Sequence, residues 1–95
     1  MPIASLIINL HLPAVTSLKA KRHVIKPLIS RLQKEFNVSV AECDYQDSWQ
    51  SAQLRLAMVS SDKRYLEQQM EHIKQFIPAH WPDLQIISEE LEYIN

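Results

Sequence analysis

The sequence predicts an α+β domain of the ferredoxin-like type, a βαββαβ sandwich, on three observations. Residues 3–12 alternate apolar and other side chains as a strand does. Residues 38–60 hold two further alternating runs, Val38-Val40-Glu42 and Leu54-Leu56-Met58, around a polar middle, which reads as a strand, a connection and a strand. A helix-like run stands on each side of that pair, and a last strand-like run ends the chain. The order is that of the split βαβ motif, so four antiparallel strands in the order 4-1-3-2 with both helices on one face are expected.

Each element has its own grounds. In the first strand Leu6, Ile8, Leu10 and Leu12 share one face, leaving Ser5, Ile7, Asn9 and His11 on the other, and Pro13 ends it. Ser17 suits a helix N-cap, because its hydroxyl can accept from an unpaired backbone N–H of the first turn. Leu18, Ile25, Leu28, Ile29, Leu32 and Phe36 then recur at helical spacing. Pro27 interrupts them. Either one helix is kinked there or the regular part begins near Lys26, and the continued stripe at Leu18 favours one kinked helix closed by Asn37. Ser60 or Ser61 is expected to cap the second helix, with Asp62 in its first turn, Leu66, Met70, Ile73 and Ile77 on its buried side, and Pro78 as its stop. The last strand, Leu84 to Ile94, carries Glu89, Glu90 and Glu92, charges that guard an exposed sheet edge.

Composition sets limits. Ninety-five residues, 46% of them apolar, suffice for one modest core, a single domain over 1–95. No run approaches the roughly 18 apolar residues of a spanning helix, and the N-terminus lacks a signal-peptide pattern, so a cytoplasmic protein without membrane attachment is expected. The single cysteine, Cys43, has no partner for an internal disulfide, as fits a reducing compartment. Glycine is absent altogether. Phosphate-cradling loops and dinucleotide fingerprints need glycine, so no cofactor is assigned.

Charge is unevenly placed. Net charge is −1, yet residues 1–34 hold six of the ten Lys and Arg and no acid, which leaves four bases against eleven acids in the remainder. On a helix, Lys19, His23, Lys26, Ser30 and Lys34 fall opposite the apolar stripe, with Lys21 and Arg22 at its flanks. Lys19, Lys21 and Arg22 would crowd the positive end of the macrodipole, where each charge costs about 0.3–1 kcal/mol. A phosphate-rich partner explains that placement, so Lys19, Lys21, Arg22 and Lys26 are the candidate nucleic-acid contacts and structured RNA the candidate partner. The competing reading is an ordinary solvated face, compensated across space by the acids of the last strand.

The hairpin gathers Glu42, Asp44 and Asp47, with His11 on the neighbouring strand. Glu42 and Asp44 would share a strand face, but no recognisable ligand spacing accompanies them, so neither a catalytic nor a metal site is assigned. Asp44, Gln46, Asp47, Trp49 and Gln50 are instead candidates for contact with protein or RNA, weighed against plain turn formation and, for Trp49 and Tyr45, packing over a core edge. The face away from the helices carries no aromatic on its two central strands, which excludes base stacking there. Its mixture of Ile7, Ala57 and Val59 with polar groups suits self-association, a homodimer without nucleic-acid binding being the alternative function.

The stretches LHLP at 10–13, SLKAKRHVIKPL at 17–28, FNVSVAECDYQDSWQSAQL at 36–54 and VSSD at 59–62 resemble the YlxP-like family of small bacterial proteins, a domain of unknown function. The resemblance implies a ferredoxin-like fold. Its members are often encoded among translation and ribosome-maturation genes, which implies a role near RNA or the ribosome; with no catalytic constellation in the residues, the expectation is a non-enzymatic accessory protein. Cys43 and Tyr45 depart from the pattern, which usually has an aliphatic and a histidine there, and this weakens any chemistry at position 45.

Overall fold

The computed structural model describes residues 2–94. Its elements run β1 (Ile3–His11), α1 (Leu18–Glu35), β2 (Ser39–Asp44), β3 (Ser51–Val59), α2 (Lys63–His80) and β4 (Gln85–Ile94). The strands form one antiparallel sheet in the order β2-β3-β1-β4, the predicted 4-1-3-2 order written from the other edge.

Alternation decides which face is buried. Ala4, Leu6, Ile8 and Leu10 of β1 and Ala52, Leu54, Leu56 and Met58 of β3 are buried under the helices. Ile25, Leu28 and Leu32 of α1 and Leu66, Met70, Ile73 and Ile77 of α2 meet them, closing one core. The other face is open. Across it Gln53 Nε2 donates to Asn9 Oδ1 at 3.1 Å and Asn9 Nδ2 donates to Ser88 Oγ at 2.9 Å, a polar rung spanning β3, β1 and β4.

Two bulges break the regular pairing. Glu42 stands opposite Leu54 but Asp44 opposite Gln53, so Cys43 is an extra residue on β2. Asn9 stands opposite Ser88 but Leu10 opposite Ile86, which makes Ile87 extra on β4. Each bulge reverses the side-chain parity of the strand beyond it. Glu42 and Asp44, expected on one face, therefore lie on opposite faces, since Leu54 is buried and Gln53 belongs to the open side.

The helix ends depart from expectation in detail. Ser17 caps α1, its Oγ accepting from Ala20 N at 3.0 Å. The helix is continuous from Leu18 to Glu35 with Pro27 inside it; Pro27 and His23 are both exposed, so water can reach the carbonyl that proline leaves unpaired. Phe36, not Asn37, closes it in an extended conformation, and its ring meets Phe76 of α2 edge-on at 5.4 Å. Asp62 itself caps α2 by accepting from Arg64 N, while Ser60 Oγ accepts from Asp62 N. Pro78 does not stop that helix, which runs on to His80 and closes with Trp81 N donating to Ile77 O.

The two faces should answer differently to truncation. Leu54→Ala is expected to cost about 2–5 kcal/mol in urea denaturation. Ile87→Ala, on a side chain 64% exposed at the β4 bulge, should stay within about 0.5 kcal/mol.

Candidate functional site

The N-terminal half of α1 packs beside β2, and the two enclose a cleft of about 330 Å³. Leu18 and Ile29 give it an apolar wall, Arg22, Lys26 and Gln46 line its rim, and Lys21 and Glu42 meet within it.

Lys21 does not belong to the exposed ridge. Its side chain is 3% exposed, and its Nζ donates to Tyr45 O at 2.7 Å and Ser48 O at 2.8 Å while standing 3.0 Å from Glu42 Oε2. The cause is position: Leu18, Lys21, Ile25, Leu28 and Leu32 recur at helical spacing, so Lys21 occupies the inward stripe and must take its charge with it. Glu42 answers that charge from the helix-facing side of β2, although its buried Oε2 lies outside hydrogen-bonding angles and the contact is Coulombic. The expected nucleic-acid contact at Lys21 is corrected accordingly, since its ammonium is spent inside the protein.

The carbonyls it holds belong to a strained turn. Tyr45 has φ 61°, in the left-handed region that a chain without glycine must fill with another residue. Ser48 N returns to Tyr45 O at 3.0 Å, so one carbonyl accepts both from the turn and from the ammonium.

Lys19, Arg22 and Lys26 remain exposed. Among the described residues, acids within 4.0 Å of α1 cations are limited to Glu42 beside Lys21 and Glu35 beside Arg31. Glu89, Glu90 and Glu92 stand on β4, the sheet edge opposite β2, and offer no such pairing to the ridge. No acid lies in the first turn of α1. What the geometry presents is an uncompensated basic surface, with an apolar wall and the Gln46 amide beside it, at the positive end of a helix.

The hairpin residues divide. Asp44 Oδ1 accepts from Tyr45 N, Gln46 Nε2 donates to Glu42 O, and Gln50 Nε2 reaches Pro13 O and Val15 O at 3.4 and 3.3 Å. Those three shape the connection and tie it to the loop before α1. Asp47 and Trp49 face solvent at its tip, Trp49 being 52% exposed. Gln50, expected as a contact with protein or RNA or as a turn residue, ties the connection to the β1–α1 loop, a role hidden in the sequence because its two partners lie 35 and 37 residues away. Away from this cleft the Tyr93 phenol is pushed above its ordinary pKa by burial and then by the charges of Glu67 and Glu71, while Lys63 sits 5.2 Å from its ring centre.

Residues 3–91 match the family described as Protein of unknown function (DUF503). The chain belongs to that family. An uncharacterized protein, YlxP of Bacillus subtilis (strain 168), is 39% identical over 69 residues, 73% of this chain and 74% of the relative. Among solved structures, the de novo designed protein Foldit4 superposes with a TM-score of 0.56 over 100% of this chain and 98% of its own, at 16% identity, a likeness of fold alone. In this DUF503 chain the α1–β2 cleft thus combines a structural ion pair with free cations, and substitution should separate the two. Lys21→Met is expected to lose about 3–5 kcal/mol by stranding Glu42 and two carbonyls, and adding Glu42→Leu should recover a large part of it. Lys19→Met should change stability by no more than about 0.5 kcal/mol in the same denaturation assay.

Proposed function

We propose that this DUF503 protein is a cytoplasmic, non-enzymatic accessory protein that binds structured RNA, free or in the ribosome, through Lys19, Arg22 and Lys26 of α1. The observation that carries the reading is the unpaired state of those three cations at the N-terminal half of a helix with no acid in its first turn. Folding gains nothing from Lys19, because the dipole opposes it in the first turn, and Arg22 and Lys26 beyond that turn have no carboxylate within 4.0 Å among the described residues. A phosphate backbone gains from them twice, through the cations and through the helix end.

The shape of the site supports a backbone contact rather than base recognition. Exposed side chains one turn apart, as Arg22 and Lys26 are, follow a line of phosphates, while the open sheet face presents no stacking aromatic on β1 or β3. Glu42 is occupied by Lys21 and Asp44 is turned to the far face, so the hairpin carboxylates do not converge as acid/base work would need.

Binding to ribosomal RNA fragments should weaken steeply as salt rises. A Lys19→Glu/Arg22→Glu/Lys26→Glu variant should lose that binding and keep its circular dichroism spectrum, and each single Lys or Arg→Ala change should lower the salt slope by about one. Equal binding by the triple variant would sink the reading.

A further inference from the structure

We infer that two copies of this chain associate back to back through the open sheet face, about a two-fold axis running along β1. The face is self-complementary under that operation. Arg55 on β3 and Glu90 on β4 both stand opposite Ile7, one on each side of it, so the three share one row. Two strand spacings, about 10 Å, keep the opposite charges apart within a copy, and no ion pair joins them. Among the described residues Arg55 reaches Gln53 alone, its Nε lying 3.5 Å from Oε1.

A half-turn about β1 keeps every row at its height and carries β3 of one copy over β4 of the other. Arg55 then faces Glu90 of the second copy, and Glu90 faces its Arg55, giving two ion pairs around an Ile7–Ile7 centre. The row of Ile3 obeys the same rule. Val59, 55% exposed, and Ile94, 47% exposed, flank Ile3 on β3 and β4, so each apolar side chain lies over the other's counterpart. One operation therefore sets opposite charges together in the Ile7 row and apolar side chains together in the Ile3 row, and in the Ser5 row between them it lays Glu92 over Ala57 of the second copy, one side-chain repeat along β3 from that copy's Arg55.

The polar rung fits the same axis. Gln53, Asn9 and Ser88 bond one another within each copy, and the second N–H of each amide and the Ser88 hydroxyl stay free to bond across the axis. Sheets packed face to face lie about 10 Å apart. Three overlapping strands of nine residues measure about 14 by 30 Å, roughly 420 Å² in projection per copy, at the weak end of specific interfaces. The dimer accordingly dissociates on dilution.

Sedimentation velocity on the full chain at low salt, from about 1 µM to about 1 mM, tests this. The expected result is dimer at the upper end, monomer at the lower, and weakening with salt. Arg55→Glu and Glu90→Arg should each weaken association by about tenfold or more, because each places like charges twice across the axis. Mixing the two variants should restore it, since the heterodimer regains both opposite-charge contacts. A monomer at every concentration would give the face to some other partner and overturn the inference. So would single variants that associate like the wild type, or a mixture that fails to recover. RNA binding by the α1 ridge is read separately and can fail or succeed without altering these outcomes.

Discussion

The Lys21 ammonium, buried between Glu42 and the carbonyls of Tyr45 and Ser48, is the interaction that the rest of the molecule's functional geometry depends on. Taking a lysine out of water is costly, and the cost is met only when charge and hydrogen-bonding capacity are both answered. Here a carboxylate answers the charge and two carbonyls answer the protons. The result joins three segments distant in sequence: the first turns of α1, the middle of β2 and the connection to β3. It also explains how a glycine-free chain maintains a turn with Tyr45 at positive φ, for the ammonium binds the carbonyl of the residue bearing that strain.

That assignment changes the meaning of the neighbouring charges. Once Lys21 is accounted for by folding, Lys19, Arg22 and Lys26 are left, with Lys34 farther along, as the α1 cations that have no carboxylate within 4.0 Å among the described residues. Glu42, the acid that lines the same cleft as Arg22 and Lys26, is committed to Lys21. The helix side and the open side of the sheet thus carry separate chemistries: a basic ridge beside a small cleft on one, and a patterned mixture of apolar, acidic and basic groups on the other. The Cys43 bulge helps to keep them apart, because it sends Glu42 to the first side and Asp44 to the second.

Much of the architecture was legible because strict alternation in β1 and β3 and the 3.6-residue stripes in both helices arise directly from which faces are buried. Lys21 was misplaced because its charge was read before its position, though the spacing of Leu18, Lys21, Ile25, Leu28 and Leu32 marks it as inward. The bulges at Cys43 and Ile87 left no sequence trace of the usual kind, since neither residue is a glycine or proline and a parity change is invisible without the partner strand. Asn37 looked the better helix terminator by local conformation, but Phe36 is drawn to Phe76 and the chain turns extended one residue earlier. Pro78 failed as a stop because its side chain is exposed and the turn around it is closed by Trp81 N and Ile77 O.

The bulges have a further consequence, for they sit on the two outer strands of the sheet, one on β2 and one on β4. An outer strand with an even run of free N–H and C=O groups is a template on which another chain can polymerise. One surplus residue on each rim throws that template out of phase, so a docking strand would lose its hydrogen bonds after a few residues. The molecule is thereby protected against runaway growth into fibres at its margins.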